Sequence, residues 1–108
     1  MNVLSLLFTG RQRVVEGWTQ HAHARNADGK LHRFDWAGQP PAVAYSAYGA
    51  VGGNDVLLMM HARERLWKAL GDDQLGFGSL KDWNDAPERT QDEVVALYEK
   101  AIMLGRAA

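Results

Sequence analysis

The run Trp83-Asn84-Asp85-Ala86-Pro87-Glu88-Arg89-Thr90-Gln91-Asp92-Glu93 is the densest concentration of chemistry-bearing residues in the chain. An arginine beside a helix N-terminus can clamp an anion, because its planar fork and the first free backbone N–H groups both favour negative charge. Arg89 is the candidate clamp, with Asp85 and Gln20 as further walls of a small-ligand pocket. The same residues also have structural uses. Asn84 and Asp85 are turn formers, and Thr90 with Glu93 has the spacing of a capping box. Arg89 can pair locally with Asp85 or Glu88, and the acids around it work against a bound anion.

Other constellations carry less. His21 and His23 would share one face of a strand, with His32 across a hairpin and Asp28 or Asp35 nearby, a donor set that suits zinc or iron. The spacing fits no metal-ligand signature and there is no H-E-x-x-H run, so no metal or other cofactor is expected. Neither Ser46 nor Ser79 sits in a nucleophile-elbow pattern, and Gly49 to Gly53 lacks the Lys-Ser/Thr that completes a phosphate loop. No residue is assigned a catalytic role. Arg11, Arg13, Arg25, Lys30 and Arg33 with three histidines could form a basic face, with Phe34 or Trp36 for stacking, the makings of weak nucleic-acid binding. Opposing it, residues 71–99 hold eight acids against two bases, whereas residues 1–34 hold five bases against two acids.

These residues must be positioned by one domain spanning 1–108, long enough for a real core. A net charge of −1 argues against a partner held by bulk charge. The absence of cysteine excludes disulfides, thiolate metal sites and cysteine nucleophiles, and fits a reducing cytoplasm. The one N-terminal apolar run, Val3 to Phe8, is far short of the roughly 20 residues that span a bilayer. No basic residue precedes it, so it matches a secretory signal poorly. A cytoplasmic protein with no membrane partner is expected.

Leu4, Leu7, Phe8, Val14 and Val15 predict a helix over Val3 to Glu16 that Gly17 ends, with a break at Gly10 as the weak point. Alternation from Trp18 to Arg25, the turn residues Asn26-Ala27-Asp28-Gly29 and a return over Lys30 to Trp36 predict a β-hairpin. Pro40-Pro41 leads into an Ala- and Gly-rich stretch, Ala42 to Val51, that reads as a helix forming an αα-hairpin with the next. Asn54 is a suitable N-cap for the helix Asp55 to Leu70, whose apolar face is Val56, Met59, Met60, Leu66, Trp67 and Leu70. Arg63 falls inside that stripe, so its head must either reach solvent or meet a buried acid. Ser79 to Asp85 reads as a short helical turn with Trp83 inward, and Gln91 to Leu104 as an amphipathic helix.

Gly17-Trp18-Thr19-Gln20, Asp28-Gly29, Ser46-Ala47-Tyr48-Gly49-Ala50, Trp83-Asn84-Asp85 and Arg89-Thr90 before Glu93-Val94 resemble a small family of uncharacterised bacterial and phage proteins. Ser46 stands where such proteins would carry a Cys-like residue, so thiol chemistry is not implied. The resemblance implies a mostly helical domain and transfers no activity. The fold class is therefore α+β, with three to four helices packed on a short antiparallel β-hairpin. The expected function is a non-enzymatic binding or interaction protein, in the light of the resemblance a phage-encoded modulator of a host protein. Its protein-partner surface would run along the hairpin through Thr19, His21, His23, Arg25, Arg33 and Trp36. The alternatives are an anion or small-ligand pocket around Arg89, with Gln20 and Asp85, and weak nucleic-acid binding.

Overall fold

In the computed structural model, which describes residues 2–32, 38–53 and 55–107, the chain begins with α1, Val3–Glu16. Asn2 and Ser5 cap it reciprocally: the Asn2 side chain accepts from the Ser5 N–H (2.8 Å) and the Ser5 hydroxyl from the Asn2 N–H (3.0 Å). The helix runs unbroken through Gly10. A Cβ there would sit 2.5 Å from the Tyr98 ring, so the glycine that weakens the helix locally is what lets another helix pack against it.

After α1 the chain departs from the expected hairpin. Among the described residues of that stretch only Ala24–Asn26 is strand, β1, and its partner is β2, Ala42–Tyr45, in the stretch expected to be helical. They pair antiparallel with Ala24 opposite Tyr45 and a register irregularity between Arg25 and Asn26. The turn over Asn26 to Gly29 is formed as expected, with Gly29 at φ 78°, and Leu31 returns to bridge Arg25. The rest of the expected return, Arg33 to Trp36, lies outside the described residues. Pro40-Pro41 suits an extended entry as well as a helical one, and the pairing of β2 decides between them. Gly17 and Tyr45 secure the other side of β2: Tyr45 N–H donates to the Gly17 carbonyl (2.9 Å), and a Cβ on Gly17 would collide with the Val43 carbonyl. There is accordingly no αα-hairpin; beyond β2 a single 3₁₀ turn, Gly49–Val51, leads to the next helix.

That helix, α2, is Val56–Leu70, capped by the Asp55 side chain rather than by Asn54, which lies outside the described residues, and stopped by Gly71 at φ 56°. Its buried face is Ala62, Leu66, Ala69 and Leu70, with Met59 and Trp67 half-buried, while Val56 and Met60 are exposed. A 3₁₀ turn, Gly71–Gln74, and the short α3, Leu80–Asn84, follow, with Trp83 buried as expected. The last helix, α4, is Gln91–Ala107. Its stripe Val94, Leu97, Tyr98, Ala101 and Ile102 is entirely buried against α1 and α2. Thr90 and Glu93 exchange the two bonds of a capping box (3.0 and 3.2 Å). The domain is thus α+β, helices on a two-stranded antiparallel sheet, and no helix among the described residues is long and apolar enough to cross a membrane.

The sheet and the helical layer are joined through Asn84, which is fully buried. Its side-chain oxygen accepts from Trp18 Nε1 (2.8 Å) and the Ala47 N–H (2.9 Å), and its Nδ2 donates to the Thr19 carbonyl (3.1 Å) and Asp85 Oδ1 (3.0 Å). Truncating it orphans two donors and a carbonyl, each costing about 1–3 kcal/mol when buried. Asn84→Ala should therefore lower stability in urea denaturation by roughly 3 kcal/mol or more, against about 1 kcal/mol for losing the helix cap in Thr90→Ala. Equal losses in the two variants would contradict this assignment.

Candidate functional site

The pocket expected around Arg89 does not assemble. Gln20 and Asp85 do come together, but as supports of the Asn84 junction. Gln20 Nε2 donates to the Asn84 (2.9 Å) and Ala86 (2.8 Å) carbonyls, and Asp85 Oδ1 accepts from the His21 N–H (2.8 Å). Arg89 belongs to a separate cleft of about 220 Å³ between α2 and α4, lined also by Asp73 and Glu93. Its Nε donates to the Trp83 carbonyl (2.9 Å), its Nη1 to Glu93 (2.9 Å), and its guanidinium lies 4.0 Å over the Trp83 ring. With a side chain only 8% exposed, it is a structural rivet.

The expected partner surface is also redistributed. Thr19 and Arg25 are tied into the loop: Arg25 donates to Thr19 Oγ1 (2.9 Å) and to the carbonyls of Gly29 (3.0 Å) and Gln20 (3.3 Å). His21 is exposed at φ 62°, so the alternation expected from Trp18 is broken there. His23 turns inward, its ring 4.9 Å from that of Tyr48. Arg33 and Trp36 lie outside the described residues. No group of three or more His, Asp or Glu side chains suited to a metal ion occurs among the described residues.

His23 instead faces a cavity of about 580 Å³. Five stretches of chain build it: Arg13 from α1, His23 and His32 flanking β1, Tyr45 and Tyr48 at the end of β2, Gly52-Gly53, and Met59 with Arg63 from α2. Backbone carbonyls fix both guanidiniums. Arg13 Nη1 donates to Ala50 (3.0 Å) and Gly52 (2.9 Å), and Arg63 Nε donates to Tyr48 (3.0 Å). The Arg63 guanidinium carbon is 3.5 Å from the Tyr48 ring centroid, and Lys81 Nζ is 4.5 Å from it. Arg63 therefore meets a carbonyl and an aromatic face where a buried acid was one expectation. Among the described residues no carboxylate pairs with Arg13, Arg63 or Lys81.

Glycine makes the close packing behind this wall attainable: a Cβ on Gly49 would run into the His23 backbone carbonyl, which accepts from the Ser46 N–H (3.0 Å). Tyr98 supports the wall from α4, donating its hydroxyl to the Ala47 carbonyl (2.7 Å), and burial pushes its phenol pKa up so that it stays protonated. Burial also lowers the Arg63 pKa, against the pull of Tyr48 and Tyr98. Arg63, Tyr45 and Tyr48 were not among the sequence candidates for a ligand, and Arg13 figured only in the basic face considered for nucleic acid. The usable signal was Arg63 itself, a cation set in the apolar stripe of a helix.

A small α+β domain with a cation-lined cavity between sheet and helices is the class of protein these features define. The chain belongs to DUF6197, a family of unknown function, whose model matches residues 2–104. No curated protein and no solved structure matches it.

Burial, and then the charges of Lys81 and Arg63, hold the His23 imidazole below its usual pKa of 6.5, with a smaller opposing pull from Asp85. Between that lowered value and 6.5 the unfolded chain binds more protons at His23 than the folded one. Stability should therefore rise with pH across this window and be lost as pH falls through it. His23→Gln should flatten that slope in urea titrations between pH 5 and 7 (about the window in which histidine titrates). An unchanged slope would remove His23 as its source.

Proposed function

We propose that this is a non-catalytic domain that binds a small anionic ligand, with Arg13 and Arg63, rather than Arg89, as the anion contacts. The observation that carries this reading is two guanidiniums, each fixed by backbone carbonyls, converging on one cavity with no carboxylate partner among the described residues. Partly buried cations are costly unless paired, and a bound anion supplies the pair. The volume lies within the roughly 300–1,000 Å³ common for small-molecule sites. A protein-partner role is the second reading, and the adjacent exposure of Val56, Leu57 and Met60 at the start of α2 favours it. Its finer form, a phage-encoded modulator of a host protein, draws on the family resemblance.

Thermal unfolding against a panel of phosphates, carboxylates and sulfonates tests the first reading. A ligand at about 100 times its Kd stabilises by about 2.7 kcal/mol. At least one anion class should thus raise Tm by several degrees, and Arg63→Gln should remove most of that shift. Arg89→Ala should lower Tm of the free protein yet leave the shift intact. If no class stabilises, or if Arg63→Gln shifts as the parent does, the anion reading falls and the protein-partner reading stands in its place.

A further inference from the structure

Charge, free donors and size together narrow the ligand. Arg13 commits Nη1 to two carbonyls and Arg63 commits Nε to one, so each guanidinium keeps two further nitrogens for a ligand. Lys81 adds a third positive charge beside Tyr48. One guanidinium suffices for a carboxylate. Two guanidiniums in the lining, with the Lys81 charge behind Tyr48 rather than in the lining, match a phosphomonoester, which carries about −1.5 to −2 charge at pH 7 and three acceptor oxygens. The cavity of about 580 Å³ far exceeds one phosphate, so the ligand carries an organic body as well. Around the cations the lining is aromatic and soft: Tyr45, Tyr48, His23 and Met59. With Tyr48 covered by Arg63, Tyr45 and His23 are the rings left to stack against a heterocycle, and hydroxyl and imidazole groups hydrogen-bond ring edges and sugar hydroxyls.

Resting on the reading of this cavity as an anion site, we infer that its ligand is a nucleoside monophosphate, with the phosphate between Arg13 and Arg63 and the nucleoside against Tyr45, His23 and Met59. A single phosphate fits better than a chain of them, because Gly49 to Gly53 lacks the Lys-Ser/Thr of a polyphosphate-cradling loop. A free nucleotide fits better than a polymer, because residues 71–99 carry eight acids against two bases and would repel an extended strand.

Isothermal titration with AMP, GMP, CMP and UMP tests this, with inorganic phosphate, the parent nucleosides, benzoate and a 5′-phosphorylated oligonucleotide as further arms. At least one monophosphate should bind one-to-one and at least about tenfold more tightly than phosphate or its own nucleoside, the factor that 1.4 kcal/mol of added contact gives. Arg63→Gln should weaken it by about tenfold or more, the loss expected of a charge-assisted hydrogen bond. Lys81→Gln, at an exposed position on α3, should weaken it by about threefold, as removal of a solvent-screened charge does. If Arg63→Gln does not fold, the wild-type protein still decides. Saturation with the monophosphate should raise the His23 pKa measured by NMR, because the phosphate offsets Arg63 and Lys81, with Asp85, Arg13, Tyr48 and His32 as the other ionisable groups around that ring. Benzoate binding that depends on Arg63, with no monophosphate bound, would overturn the nucleotide and spare the anion site. Binding of the oligonucleotide alone would overturn it in favour of a nucleic-acid end. Monophosphate binding insensitive to both substitutions, or an unmoved His23 pKa, would place the ligand elsewhere and overturn it too.

Discussion

The side-chain amide of Asn84 holds three separated pieces of chain in register, and the remaining architecture depends on it. One oxygen serves Trp18 and Ala47, and one nitrogen serves Thr19 and Asp85. An amide is the one neutral side-chain group with both two donors and an acceptor able to take two bonds, so neither Asp nor a hydroxyl could replace it. In a fully buried position the arrangement is all-or-none, because any unmet partner keeps its desolvation cost. Gln20 and Asp85 brace the same junction from outside. The segment after α3 thereby becomes the clasp between the sheet and the helical layer.

The cavity follows from that clasp. Ala47 is fixed twice, by Asn84 through its N–H and by Tyr98 through its carbonyl, which sets the path of the chain from β2 to the 3₁₀ turn. Tyr48 is the next residue, and its ring and carbonyl hold Arg63. The carbonyls of Ala50 and Gly52, a little further on, hold Arg13. Two cations on two different helices are therefore oriented by one short loop, which holds their remaining donors in place.

Much of the helical layer was legible in the sequence because each long helix carries its own 3.6-residue stripe. All five residues of the α4 stripe are buried, and α1 and α2 have bounds within a residue of those expected. The sheet was less legible. β2 is short, follows two prolines and is rich in Ala, so its local preferences are weak and a partner some 20 residues upstream decides its state. In the Trp83 to Glu93 run the Thr90–Glu93 capping box forms as its spacing implies, yet Asn84 is a buried hub rather than a turn former. Arg13 and Arg63 are 50 residues apart and share no motif, since tertiary packing alone brings them to one cavity. The misplaced charge of Arg63 hinted at it, and Arg13, His23 and His32 were grouped only as parts of a basic face.

On the proposed reading, Arg13 and Arg63 are the cations that bind, whereas Arg89 is spent on Trp83 and Glu93. Arginine side-chain Nε–H resonances report each guanidinium separately, so a ¹H–¹⁵N NMR titration with inorganic phosphate addresses it directly. The Arg63 and Arg13 signals should move saturably while that of Arg89 stays in place. Movement of Arg89 with Arg63 and Arg13 unmoved would contradict it.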